Sequence, residues 1–141
     1  MESLDSIKNV MMEREIQALI PHRFPILLID RITGYEKKRW ISGIKTISQN
    51  DRISIPKCPF LLCESLAQLS KILESISQEE NSSNISYLTH LQIEFYDKVC
   101  VGDAILLTAA YKKQSQDMVC YDVQAHVSEK KILSGTLFRR C

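Results

Sequence analysis

Glycine is scarce in this chain. Four glycines in 141 residues leave no glycine-rich loop of the kind whose backbone N–H groups cradle phosphate. Charge of one sign is lacking as well. The formal net charge is +1, which argues against an electrostatic grip on nucleic acid or an anionic membrane surface. No apolar run approaches the about 20 residues needed to span a bilayer. Residues 1–12 mix Glu2, Asp5 and Lys8 with apolar positions and do not form a basic start followed by an apolar block, so no secretory leader is expected. There is no CxxC pair. The five cysteines stand at 58, 63, 100, 120 and 141, an odd number without metal-site spacing. Neither a disulfide framework nor a zinc ribbon is expected, and a reducing, cytoplasmic setting is the simpler reading. His22, His90 and His126 show no ligand spacing with one another or with the cysteines, so neither a metal nor another cofactor is expected.

What is present is an ordinary globular composition, 45% hydrophobic and 25% charged, in a length that fits one domain over residues 1–141. Such a domain buries about two-thirds of its unfolded surface. Residues 1–12 read as a loosely ordered extension. Helical spacing over residues 13–20 puts Ile16, Leu19 and Ile20 on one side, and Pro21 ends the pattern. The apolar run at residues 26–32 reads as a buried strand, with a break or bulge at Gly34. Residues 40–47 alternate as a partner strand, and residues 48–57 form a connection. Residues 60–77 are the one long helix. Leu62, Leu66, Leu69, Leu73 and Ile76 recur at three and four, and Phe60, Leu61, Ala67 and Ile72 widen the apolar face until it nearly encircles the first half. Such a helix belongs inside the molecule. After a polar loop at residues 77–86, four strands are expected at 87–95, 104–111, 118–127 and 131–139, punctuated near residues 102–103, 114–117 and 128–130. One buried helix with about six strands implies an α+β domain, an antiparallel sheet wrapped on a helix.

Residues 20–32 read IPHRFPILLIDRI. This segment resembles the opening signature of the 3-hydroxyacyl-[acyl carrier protein] dehydratases of the FabZ type: Pro-His-Arg, an aromatic, Pro, then an aliphatic stretch ending in Asp-Arg. Ile44, Lys45 and Asn50 fit the next family segment. Residues 61–73, LLCESLAQLSKIL, fit its central helix, including the Glu and the Ala-Gln pair. Of residues 95–103, Phe95, Val99, Gly102 and Asp103 agree with a later segment. The resemblance spans roughly residues 13–140 and implies the hotdog fold, usually paired as a dimer.

That resemblance also implies a chemistry. Water is removed from a 3-hydroxyacyl thioester carried on acyl carrier protein. A base takes the proton next to the thioester carbonyl, an acid helps the hydroxyl leave, and a backbone N–H polarises the carbonyl. In the family the base is a His in a Gly-His-Phe-Pro segment before the helix. The acid is a helix Glu supplied by the other subunit, and the N–H belongs to a Gly near the helix start. Glu64 matches the Glu; it sits in an apolar stretch where burial would favour the neutral, proton-donating form. No histidine occurs between His22 and His90, and the chain is shorter than the family pattern across that stretch. Pro59 stands five residues before Glu64 in place of the family Gly, and proline has no N–H to give. Loss of one such donor costs about 2.7–4 kcal/mol of transition-state stabilisation. A shifted loop could offer the N–H of Phe60 instead.

Glu64 is thus the candidate catalytic residue, with Gln68, Phe60 and His90 as candidate substrate contacts. His22 is expected to pack at the helix–strand corner with Arg23 and Arg31, and His126 carries no signal. Cys58, at the helix start, is a candidate reactive thiol, and Cys63 a small buried hydrophobe. Lys112, Lys113, Lys130, Lys131, Arg139 and Arg140 are expected at the surface, where with Arg23, Lys37, Lys38 and Arg39 they offer a basic rim to an acidic carrier protein. Three functions stay open. The first is a degenerate dehydratase subunit that lends Glu64 to a His-bearing hotdog partner, as homodimer or heterodimer. The second is a hotdog thioesterase using the helix carboxylate on acyl-CoA or acyl carrier protein thioesters. The third is a non-catalytic acyl-binding or scaffold protein of fatty-acid or polyketide metabolism.

Overall fold

The structure, a computed structural model, describes residues 10–21, 27–51, 54–78 and 86–140. Helix α1 (Glu13–Gln17) leads to strands β1 (Arg31–Glu36) and β2 (Trp40–Thr46), then helix α2 (Leu61–Ser77). Strands β3 (Tyr87–Phe95), β4 (Ala104–Ser115), β5 (Met118–Val127) and β6 (Lys130–Arg140) follow. The six strands form one sheet in the order β1-β2-β4-β5-β6-β3, antiparallel throughout. The sheet holds α2 against its inner face, which is the hotdog arrangement.

Helix α2 owes its place to its composition. Leu62, Leu66, Leu69, Ile72 and Leu73 are each at most 1% exposed, and no residue of the helix is classed as exposed. They pack on Ile41, Ile105, Leu107, Ala109, Val123 and Ala125 from the middle strands. Two serines share this apolar setting because they return their hydroxyls to the helix. Ser65 Oγ donates to Leu61 O at 3.2 Å and Ser70 Oγ to Ala67 O at 2.8 Å, which removes the cost of a buried hydroxyl. No helix among the described residues is long and apolar enough to cross a membrane.

The apolar run at residues 26–32 is not a strand over its length; β1 begins only at Arg31. Residues 27–29 are buried but irregular, and their neighbourhood explains it. The Leu28 N–H donates to a side chain, Gln68 Oε1, at 2.9 Å. The Asp30 carboxylate accepts the Thr46 N–H at 2.6 Å and pairs with Lys45 Nζ at 3.4 Å. These bonds take the place of a ladder, and the apolar side chains are buried by the helix instead. The expected break at Gly34 is present, as a bulge between Ile32 and Gly34.

Other boundaries move little. α1 closes at Gln17, although helical-type bonds run on to Ile20, and β4 continues through a bulge between Tyr111 and Lys113. Of the expected N-terminal extension, residues 1–9 lie outside the described residues, while Met11 bridges Ile32. The scarcity of glycine shows in the turns. Lys38, Gln116 and Ser128, at the tips of three hairpins, take positive φ of 65°, 55° and 53°, a conformation that costs a non-glycine residue about 1–3 kcal/mol. The first is held by Ser77, whose Oγ accepts the Lys38 N–H at 2.8 Å.

Candidate functional site

The site is built on the first half of α2. Gln68 is 1% exposed and stands one turn after Glu64. Its Oε1 accepts the Leu28 N–H, and its Nε2 donates to Glu64 Oε1 at 3.1 Å. The orientation of the amide is dictated by this pairing, since only its oxygen can accept from a backbone N–H. A relay therefore runs from the backbone of the IPHRFPILLIDRI segment through Gln68 to Glu64. Glu64 itself is partly exposed in the single chain. It borders a cleft of about 170 Å³ lined by Ala67, Gln68, Lys71, Leu88 and Arg139 as well.

The start of α2 has no side-chain cap. Its first donors are taken up by tight i−3 bonds: Leu61 N to Cys58 O, Leu62 N to Pro59 O and Cys63 N to Phe60 O, each 3.0 Å. Pro59 has no N–H. The Phe60 N–H has no acceptor among the described residues, so it is the available backbone donor at this end. The Phe60 ring is 73% exposed and meets Phe95 of β3 edge-on, centroids 5.8 Å apart. Cys58 is exposed and Cys63 buried; burial pushes the Cys63 thiol above its ordinary value of 9.0. Burial does the same to Cys120 on β5, with Lys112 acting against it.

His90 stands apart from these groups. A bulge between Leu88 and His90 puts Leu88 opposite Arg139 but His90 opposite Phe138. Because 138 and 139 point to opposite faces of the sheet, Leu88 lines the Glu64 cleft while His90 faces outward, edge-on to the Phe138 ring at 6.1 Å. His22 and Arg23 lie outside the described residues, and Arg31 is exposed at the start of β1. Among the described residues no group of three His, Cys, Asp or Glu is placed to hold a metal ion.

Arg139 corrects the expectation of a surface charge. It is 7% exposed because its position on β6 points inward. Its Nε lies 3.4 Å from Glu74 Oε2 and donates to Ser86 Oγ at 3.0 Å, and its Nη1 donates to Ala67 O at 3.3 Å. Glu74 also accepts from Ser86 Oγ at 2.7 Å and pairs with Lys71 Nζ at 3.0 Å. This cluster was missed in the sequence. The signal for it was Lys71 and Glu74, opposite charges three apart on a helix expected to be buried.

No protein-family model matches the chain. The 3-hydroxyacyl-[acyl-carrier-protein] dehydratase FabZ of Streptococcus pyogenes serotype M3 is 34% identical over 136 residues, covering 91% of this chain and 96% of the relative. The chain belongs to the FabZ dehydratase family. Solved structures agree on the fold of this FabZ-family chain. The dehydratase heterocomplex ApeI:P from Xenorhabdus doucetiae superposes with a TM-score of 0.73 at 14% identity, over 89% of each chain. A hypothetical thioesterase with coenzyme A from Streptococcus pneumoniae TIGR4 gives 0.63 at 12% identity, over 77% of this chain and 82% of that one. Within the FabZ family frame, Glu64 and Gln68 stand together in the cleft, Phe60 lies at the helix entrance, and His90 faces outward. Among the described residues lining the cleft there is no histidine.

Proposed function

We propose that this chain is one subunit of a composite dehydratase acting on 3-hydroxyacyl thioesters carried by acyl carrier protein, and that Glu64 is the group it contributes. The observation that carries the reading is the Leu28–Gln68–Glu64 relay, which orients the helix carboxylate at the mouth of a cleft. Glu64 in its protonated form gives its proton to the departing 3-hydroxyl, which leaves as water as the new carbon–carbon double bond forms. The proton next to the carbonyl is taken by a histidine of a second hotdog subunit, whose backbone also supplies the carbonyl-polarising N–H. Strand β3 supports docking of that subunit. It ends the sheet, so one row of its backbone groups is unpaired by another strand, and Tyr87, Leu88, Leu91 and Phe95 on it are exposed. One structural neighbour, ApeI:P, is a dehydratase heterocomplex.

The test is a dehydration assay with a 3-hydroxyacyl thioester on its carrier protein. The purified chain alone is expected to be inactive. Mixed with a His-bearing hotdog subunit it is expected to form a complex that turns over, and Glu64→Gln in that complex to remove the activity. Ordinary turnover by the chain alone would overturn the reading.

A second reading is thioester hydrolysis with Glu64 as base or nucleophile. The unbonded Phe60 N–H favours it, because it restores a backbone donor at the helix start in spite of Pro59. Release of thiol from acyl-CoA or acyl carrier protein thioesters, lost in Glu64→Gln, would establish this reading and displace the first.

A further inference from the structure

The charged cluster beyond Gln68 is more than a brace, because it forms the far wall of the Glu64 cleft. We infer that this cleft takes a short acyl group whose far end carries a carboxylate, and that Lys71 selects it. The inference rests on the reading of Glu64 as the group at the thioester end.

Three observations lead there. The first is charge. Lys71 and Arg139 are two cations with one counter-ion between them: Glu74 Oε1 lies 3.0 Å from Lys71 Nζ, and Glu74 Oε2 lies 3.4 Å from Arg139 Nε. Among the described residues the cluster therefore holds one positive charge in surplus, at side chains only 8–19% exposed.

The second is which cation has capacity to spare. The Arg139 guanidinium is committed to Ser86, Ala67 and Ser70 as well as to Glu74. The Lys71 ammonium has three N–H donors and two acceptors among the described residues, Glu74 Oε1 and Ser86 Oγ at 3.4 Å. Lys71 is among the residues that line the cleft, which puts this spare capacity at the cleft wall.

The third is size and lining. At about 30 Å³ per water-sized group, a cleft of 170 Å³ has room for about six such groups. Among the described residues of its lining only Ala67 and Leu88 are apolar. A long aliphatic tail would strip water from the ammonium and offer no acceptor in return. A carboxylate replaces that water with a charge-assisted bond. Repulsion by Glu64 is limited by distance, since residues 64 and 71 are separated by about 10 Å of helix rise.

The experiment is titration calorimetry of the intact chain with coenzyme A thioethers carrying a 3-carboxypropyl, butyl or octyl group. Thioethers resist hydrolysis, so any esterase activity does not disturb the reading. The carboxypropyl ligand is expected to bind at least tenfold more tightly than the butyl ligand, and the octyl ligand no better than the butyl. Lys71→Met is expected to erase the tenfold preference while retaining butyl binding, and Lys71→Arg to keep it. Circular dichroism of both variants shows whether they are folded. Tightest binding of the octyl ligand, or a preference that survives Lys71→Met, overturns the inference and leaves the function of Glu64 standing. Binding of none of the three also overturns the inference, while the acyl-thioester reading stands or falls separately on the dehydration assay of the two-subunit complex.

Discussion

The two ends of helix α2 handle buried polarity differently. Around Glu64 the contacts form a line, from the Leu28 backbone through Gln68 to one carboxylate at a cleft mouth. Around Glu74 they form a ring, in which Glu74, Arg139 and Ser86 each bond the other two, with Lys71 at its edge. The ring closes on itself around a buried carboxylate, whereas the line ends on a carboxylate that borders the cleft. The same helix thus carries a polar ring at one end and, at the other, the candidate chemical site proposed above, with Lys71 between Gln68 and Glu74.

This contrast can be broken experimentally. Arg139→Met should have the largest effect, a loss of about 3–5 kcal/mol in urea unfolding, because it leaves the buried Glu74 carboxylate with a weakened set of partners. A loss under about 1 kcal/mol would mean that the ring does not hold the fold. Gln68→Leu strips the buried Leu28 N–H of its acceptor and should cost about 1–3 kcal/mol by the same measurement. It should also lower the activity of the two-subunit complex by freeing Glu64 to rotate. Glu64→Gln should change stability by less than about 1 kcal/mol, since an amide oxygen still accepts from Gln68. If it destabilises as strongly as Arg139→Met, the two ends are both structural.

The smallest expected effect is on pH dependence. The thiols of Cys63 and Cys120 are raised in the fold by burial above an ordinary value of 9.0. A raised folded value means that the folded state keeps its proton longer than the unfolded chain. The contribution of these thiols is therefore full below pH 9 and is lost as pH rises through the folded values. Unfolding midpoints measured from pH 8 to 10.5 should fall above pH 9, less steeply in Cys63→Val than in the parent chain. An unchanged slope in that variant would remove Cys63 as a cause.

Much of the fold was legible because its signals are local. The spacing of Leu62, Leu66, Leu69 and Leu73, with apolar residues on nearly every side, marked α2 as buried, and the β-rich runs after it matched β3 to β6 closely. Residues 26–32 misled, because a short apolar run shows that a segment is buried without showing where its backbone bonds go. Here the Leu28 N–H goes to the Gln68 side chain and the Asp30 N–H to Ile44 O. Arg139 misled for the opposite reason: a charge near the end of a strand looks like surface until a neighbour such as Glu74 is placed beside it.

By itself, the amino-acid sequence determined the family, the element order and the buried helix, and it singled out Glu64 as the candidate carboxylate. These follow from residue types and spacings along one segment at a time. Only the tertiary structure decided that Gln68 aims Glu64, that a bulge turns His90 away from the cleft, and that Lys71 and Arg139 wall it. Each of these depends on which residues of distant segments meet, and that is settled when the sheet's register and the helix's packing are set together.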